Sequence, residues 1–280
     1  MMVHRELQLS KYETGGAAVV VDNLRDFVEA SARHPRRLII LRAGAAVPDW
    51  PAAAARDWPG PAAAAPDWPG PPAAAPATEL RRYCLALGGI LEYDRASEIR
   101  TIRNDPSIRS STAMSGKPLP LHTDGTFLAH PPERFMLSFS RADSQGGGLS
   151  TFMPISDILA AAPDRVIEAL LTADFLFPRG YDGDLTDSHV GPVLYRAGSA
   201  LRIRWRSDDI WRPRVVDSRG TDGAGAVDWL HEFLATSEPY SYLAEDGETL
   251  LVPNTVLLHG RTALSPGSQR EVLRVWVGAS

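Results

Sequence analysis

The spacing of apolar and polar positions predicts a chain built mostly of short strands. Residues 17–21, ending in Val21, form an apolar run. Asp22 can cap a helix reaching about Arg33, and Arg37–Arg42 reads as a strand. Thr78 can cap a helix through about Leu87, which Gly88-Gly89 stops. Beyond it, strands are predicted at 90–93, 98–103, around His122, at 134–140 and at 150–153, the last behind the glycine turn 146–148. Ser156 opens a helical region, with further helices at 164–171 and 227–235, and later strands at 200–206, 249–252, 255–259 and 271–277. Many short strands with glycine and proline turns and a few flanking helices predict a mainly β fold, a jelly roll closed around a site.

One stretch breaks this pattern. From Pro48 to Pro76 the chain is almost all Ala, Pro, Gly, Asp and Trp, with Asp-Trp-Pro at 49–51, 57–59 and 67–69. Repeats so poor in aliphatic residues cannot bury a core alone, which predicts a disordered surface insertion over 48–76. The alternative is a mobile flap whose Trp50, Trp58 and Trp68 touch a substrate or partner. The rest of the composition narrows the function classes. A net charge of −5 leaves no basic excess for a nucleic-acid partner. Cys84, the only cysteine, allows neither an intramolecular disulfide nor a cysteine-rich zinc site. The first residues lack the apolar core of a signal peptide, and no run is long enough to span a bilayer, so a soluble cytoplasmic protein of 1–280 as a single domain is expected. Nothing here fixes an oligomeric state.

Candidate chemistry centres on His122-Thr123-Asp124. In an extended stretch, residues i and i+2 point to one face, so His122 and Asp124 can aim at one point. His259 ends the apolar run Val256-Leu257-Leu258 behind the turn Pro253-Asn254 and is the expected third ligand. Two histidines and one carboxylate form a facial triad that leaves three metal positions open for co-substrate and oxygen, which suits Fe(II) oxygenases. His122 and His259 are 137 positions apart, so only a fold that joins distant strands unites them. His4, His34, His130, His189 and His231 read as surface or packing residues, although His130 and His189 can also lie near a substrate.

A diacid co-substrate needs a cation, and arginine's planar fork matches a carboxylate. In the last strand Arg270, Val272, Arg274 and Trp276 share one face, and Leu273, Val275 and Val277 share the other. Arg270 can hold one end of a diacid, with Arg274 nearer the metal or the substrate. The alternative is a solvated face with ordinary edge charges. Arg202, Arg204 and Arg206 pose the same choice: a receiver for a substrate carboxylate, or a solvated outer face. Residues 180–191 and 207–225 read as lid loops.

Taken together, His122-Thr123-Asp124-Gly125-Thr126-Phe127, Gly147-Gly148-Leu149-Ser150, Asn254 through His259-Gly260-Arg261, and Arg270 with Arg274 make the chain resemble a known family. It is similar to the taurine dioxygenase-like (TauD/TfdA) Fe(II)/2-oxoglutarate-dependent oxygenases over about residues 78–280. In that family an arginine follows the distal histidine by 11 residues and often another by 15, the places of Arg270 and Arg274. A hydroxyl after the paired glycines contacts the co-substrate carboxylate; Ser150 occupies that place, with Thr151 its rival. The Ala/Pro/Trp insertion is not a feature of the family.

The resemblance implies a cupin-like double-stranded β-helix that binds Fe(II) through His122, Asp124 and His259. It implies 2-oxoglutarate as co-substrate with O2, and release of succinate and CO2. Asp124 stands where related halogenases carry glycine or alanine, so hydroxylation is the usual outcome, with desaturation or ring closure open on the same iron. The expected substrate is a small polar carboxylate-bearing molecule, an amino acid or a natural-product intermediate. Two rivals come from other classes. A cupin-like metal hydrolase could use the triad with zinc but would not need Arg270. A non-catalytic 2-oxoglutarate sensor would keep the grip and lose turnover. Alanine at His122 or Asp124 is expected to abolish iron binding and leave the fold intact.

Overall fold

Alternating side chains along the central strands feed two different cores, and this sets the layering. The computed structural model describes residues 5–6, 18–46, 76–91, 99–105, 112–179, 188–208 and 211–278. The predicted insertion up to residue 75, with its three tryptophans, lies outside the described residues, as do His4, the predicted strand end at 92–93 and most of the first predicted lid loop.

The elements are β1 (Arg5–Glu6), β2 (Ala18–Asn23), α1 (Leu24–Arg33), β3 (Leu38–Ala46), α2 (Pro76–Ala86), β4 (Arg100–Arg103), β5 (Leu119–His122), β6 (Arg134–Arg141) and β7 (Ser150–Pro154). They continue with α3 (Ile155–Ala161), α4 (Asp164–Thr172), β8 (Asp174–Phe177), β9 (His189–Gly191), β10 (Leu194–Ala197), β11 (Ala200–Ile203) and β12 (Arg214–Asp217). The last are α5 (Gly223–Thr236), β13 (Tyr240–Tyr242), β14 (Thr249–Val252), β15 (Leu257–Arg261) and β16 (Glu271–Val277).

Six strands form one sheet in the order β2-β3-β14-β6-β16-β4, and five form another, β1-β13-β7-β15-β5. Phe135 and Phe139 of the first sheet share a buried cluster with Phe152 and Leu257 of the second, so the two sheets face each other. The outer face of the six-stranded sheet, through Met136, Leu251 and Val275, packs on Phe27 of α1 and Leu80 and Cys84 of α2. The outer face of the five-stranded sheet, through Leu121, Met153 and Leu258, packs on α3, α4 and α5. The molecule is thus a jelly roll flanked by helices on both sides. Its two sheets keep open edges and do not close into a barrel.

Several boundaries differ from the sequence expectation for local reasons. The strand predicted at 90–93 is reduced, among the described residues, to a single bridge between Ile90 and Val277. The strand predicted at 200–206 ends at Ile203, because the next residues bond sideways: Arg204 N–H to the Val193 carbonyl and Trp205 N–H to the Thr123 hydroxyl. The strand predicted at 255–259 starts at Leu257, after a turn in which Leu257 N–H bonds back to Pro253. The helix predicted at 227–235 runs from Gly223, capped by the Asp222 carboxylate on Gly225 N–H. The second predicted lid loop in fact contains β12 and the start of α5, and the first ends in β9. No helix among the described residues is long and apolar enough to cross a membrane.

Candidate functional site

Strands β5 and β15 are neighbours, with His122 directly opposite His259. Leu258 points outward into the helical layer while Leu257 and His259 point between the sheets, as the two-residue period requires. The two imidazole rings lie 4.3 Å apart, and His259 also lies 4.3 Å from the ring of Phe135 on the facing sheet. Asp124 follows two residues after His122, its Oδ1 3.8 Å from His122 Nε2 and 3.9 Å from His259 Nε2. One ligand atom from each residue falls within 4.8 Å of the others, and all three residues are buried. The structure therefore brings together the predicted triad.

The donor set fits a divalent metal. His122 Nδ1 is 2.9 Å from the Pro120 carbonyl, so it carries the proton and leaves the Nε2 lone pair facing Asp124. Burial, with Arg206 adding to it, pushes the His122 pKa below its ordinary value. Burial and the neighbouring His122 push His259 down further. Both rings are thus neutral near pH 7, the form that binds metal. Burial alone would raise the Asp124 carboxyl, but Arg274 and the two histidines outweigh it and hold Asp124 well below the usual carboxylate range. His259 Nδ1 is buried without a hydrogen-bond partner among the described residues, so ring packing against Phe135 and His122 orients it.

Asp124 is held from every side. Arg274 Nη1 donates to Oδ1 at 3.0 Å and Trp276 Nε1 to Oδ2 at 2.8 Å. Arg274 and Trp276, on the predicted face of β16, thus point at Asp124 and not at solvent. The following Gly125 has φ +67°, and a Cβ there would lie 2.7 Å from Pro132 Cδ, so the chain turns away from Asp124 where only glycine fits. Sequence reasoning missed two further supports. The Asn254 side chain, fully buried, accepts from Asp124 N–H at 2.7 Å and donates to the carbonyls of Asp124 and Pro132 at 3.0 and 2.7 Å. Thr123 N–H donates to the Trp205 carbonyl at 2.7 Å, and its hydroxyl accepts from Trp205 N–H at 3.0 Å. Asn254 sits just before the His259 strand, where an amide in a buried turn was the available signal.

Asn254→Ala should leave three buried backbone groups unpaired at once. Each costs about 1–3 kcal/mol, so stability should fall by about 3 kcal/mol or more. Loss of such an outer-shell partner should weaken metal binding roughly 10- to 100-fold. Thermal denaturation and a Co(II) titration of the same preparation would test both effects.

Arg270, only 7% exposed, enters the same inter-sheet space, with its guanidinium 5.1 Å above the Phe139 ring. Its Nε is buried without a partner, and no carboxylate of the described residues lies within ion-pair distance. Burial, then the like charge of Arg261, lowers its pKa to about 9. An unmatched buried cation is costly unless an anion joins it, so the site suits a carboxylate ligand. Of the two hydroxyl candidates, Ser150 shares the inward parity of Phe152, whereas Thr151 shares the outward parity of Met153 and packs where a Cβ on Gly260 would sit, 2.9 Å from its Oγ1. Strand geometry therefore favours Ser150.

The three arginines near residue 204 separate. Arg202 bonds the Thr255 hydroxyl at 2.9 Å and Glu133 at 3.3 Å. Arg204 is 3% exposed, lies over Phe177 and Tyr195, and donates to the carbonyls of Thr126, Leu128 and Ala129. It fixes the loop after Asp124, which corrects both the substrate-receiver and the solvated-face readings for this residue. Arg206 is the one of the three whose charge acts on both His122 and His259. It stacks 4.5 Å over Trp211 and pairs in two bonds with Asp208, at 2.6 and 2.9 Å. His130 is exposed and His231 lies on α5. His189 lies on β9 beside Phe177, its pKa lowered to about 4 by burial. None of the three joins the triad.

Comparison with known proteins agrees with this geometry. No curated protein matches the chain. An asparagine oxygenase solved with Fe(II), 3-hydroxyasparagine and succinate aligns with a TM-score of 0.68 at 22% identity, covering 91% of this chain and 78% of that one. The non-haem iron oxygenase OrfP, solved with Fe and α-ketoglutaric acid, aligns at 0.67 and 20% identity, covering 92% and 80%. OrfP with Fe, succinate and dihydroxy-L-Arg aligns at 0.66 and 18% identity, covering 92% and 81%. These likenesses establish a shared fold. The family model described as taurine catabolism dioxygenase TauD, TfdA family matches residues 70–276. With that match spanning the triad and both arginines, the chain belongs to the TauD/TfdA family and is an Fe(II)- and 2-oxoglutarate-dependent dioxygenase.

Proposed function

We propose that the enzyme hydroxylates an unactivated C–H bond of a small amino acid or related carboxylate-bearing molecule. The observation that carries this reading is the buried, unmatched Arg270, placed 11 residues after the ligand His259. The solved neighbours that hold hydroxylated asparagine and arginine support an amino-acid substrate. Residues 1–280 are read as one oxygenase domain carrying the 48–76 insertion. A cytoplasmic setting fits the single free Cys84.

His122, Asp124 and His259 would hold Fe(II), which supplies O2 activation when bound. The chain's own residues do the rest. Arg270 and Ser150 bind the far carboxylate of 2-oxoglutarate. Arg274 and Trp276 keep the Asp124 carboxylate ionised and aimed. The inter-sheet wall of Phe135, Phe139 and Phe152 excludes water from the reacting region. The Arg206–Asp208 pair over Trp211 forms the polar wall that meets the substrate.

A substrate screen monitored by succinate release tests the proposal. Amino-acid-dependent succinate with Fe(II), and none with Zn(II), is expected. Substrate-independent binding of 2-oxoglutarate without turnover would favour the sensor instead. Arg206→Ala should raise the substrate KM about 10-fold or more, since hydrogen bonds to charged groups contribute about 1.5–3 kcal/mol. The 2-oxoglutarate requirement should stay near native.

A further inference from the structure

The two connections that flank Arg270 are laced together at one end of the jelly roll. Residues 142–149 join β6 to β7, and residues 262–270 join β15 to β16. Gly148 N–H donates to the Ala263 carbonyl at 2.8 Å and Thr262 N–H to the Leu149 carbonyl at 3.0 Å. Leu149 N–H donates to the Thr262 hydroxyl at 2.9 Å. At the centre of this lacing lies Asp143, 7% exposed. Its Oδ1 accepts from Gln145 N–H at 3.0 Å and its Oδ2 from Ser265 N–H at 2.8 Å. The approach is close enough that a Cβ on Gly147 would lie 2.5 Å from Ser265 N and 2.9 Å from Asp143 Oδ2.

From this anchor a short path leads to the co-substrate arginine. The turn closes with Ser268 N–H on the Ser265 carbonyl at 3.0 Å. The Ser268 hydroxyl, at the end of that turn, accepts from Arg270 N–H at 3.3 Å. Burial would raise the Asp143 carboxyl, but the Ser265 and Gln145 amides and the two serine hydroxyls outweigh it and bring it to about 2, so it is ionised throughout the neutral range. Two buried guanidiniums, Arg261 and Arg270, feel this one carboxylate. Arg261 is occupied by the carbonyls of Ala113, Ser115 and Lys117. Two guanidiniums thus share one carboxylate, which leaves a net positive charge beside the inter-sheet space, with Arg270 the one not occupied by carbonyls of the described residues.

We infer that Asp143 is a positioning residue for co-substrate binding: by tying the Ser265–Ser268 turn to the β6–β7 connection, it fixes the point from which Arg270 reaches the far carboxylate of 2-oxoglutarate. The inference rests on the reading of Arg270 given above. Asp143 touches neither metal ligand nor substrate. Its removal should therefore act on 2-oxoglutarate alone, and hydrogen-bond acceptance, not charge, should be what matters.

The test is anaerobic titration of 2-oxoglutarate into the Fe(II)-loaded protein, read by the metal-to-ligand charge-transfer band and by calorimetry, with Fe(II) affinity measured separately. Asp143→Ala should weaken 2-oxoglutarate roughly 10-fold or more, on the scale of losing one charge-assisted bond, and leave Fe(II) affinity within about 2-fold. Asp143→Asn keeps one acceptor, for Ser265 N–H, but turns its NH2 on Gln145 N–H, so it should recover only part of the loss. Ser268→Ala, a milder change, should weaken 2-oxoglutarate about 3-fold or more, and it carries the test should Asp143→Ala fail to fold. Unchanged 2-oxoglutarate affinity in these variants, or an equal loss of iron and 2-oxoglutarate, overturns the inference. Arg270→Ala run in parallel separates the causes. If it too leaves 2-oxoglutarate affinity unchanged, the Arg270 reading itself fails; if it alone is impaired, only the role of Asp143 fails.

Discussion

Arg270→Ala lowers the affinity for 2-oxoglutarate by roughly 10- to 150-fold, the equivalent of the 1.5–3 kcal/mol that hydrogen bonds to charged groups contribute. The structure sharpens the reason. Arg270 is buried, and among the described residues its Nε has no partner and no carboxylate reaches it, so its removal breaks no ion pair there. Folding stability should hold or rise slightly, because an unmatched buried charge is itself a cost. Affinity and stability therefore move in different directions, which a general packing defect cannot mimic. Arg270→Lys should recover little, since a point charge cannot reproduce the planar fork. Charge-transfer titration with parallel thermal denaturation would measure both. A large stability loss with unchanged 2-oxoglutarate affinity would remove the co-substrate assignment.

The second large effect concerns the triad, where two substitutions that look equivalent in the sequence should diverge. His122→Ala and Asp124→Ala should each abolish Fe(II)-dependent succinate formation, because each removes a ligand from a three-residue set. His122→Ala deletes a ring whose one protein hydrogen bond, to the Pro120 carbonyl, is local, and should cost about 1–2 kcal/mol of stability. Asp124→Ala also strands the Arg274 guanidinium and the Trp276 N–H, and should cost about 3–5 kcal/mol. The contacts of Asp124 thus predict a larger loss of stability for its variant than for the histidine's, where an intact fold is expected of both. Asp124→Asn should fall between them in stability while remaining inactive. Chemical denaturation of the three metal-free variants would check the ordering. Equal stabilities would mean that Arg274 and Trp276 contribute nothing through Asp124.

The sequence exposed what periodicity and spacing encode and hid what long-range contacts decide. The i, i+2 relation of His122 and Asp124 and the two-residue period of β16 are local properties, and both survive in the structure. The face shared by Val272, Arg274 and Trp276 is the face that meets the triad. Ser150 against Thr151 could not be resolved until the parity of β7 was seen relative to Phe152 and Met153. Arg204 was opaque for a different reason. Its three carbonyl partners at Thr126, Leu128 and Ala129 lie far away in sequence, so nothing near residue 204 signals that it is buried. The start of α5 was hidden by Gly223 and Gly225, poor helix formers that Asp222 caps.

The direct pairing of His122 with His259 has a consequence for how the chain finds its native alignment. A slip of β15 by one residue against β5 would turn His259 to the outer face, where Leu258 and Gly260 now point, and would destroy the ligand set entirely. A metal held by all three side chains would therefore act as a gauge of strand alignment between two segments 137 positions apart. Only molecules with the correct register can bind it. Binding to the native form alone stabilises it by about 2.7 kcal/mol when the free metal is at 100 times its dissociation constant. Iron supply would then govern the population of correctly threaded chains as well as their activity.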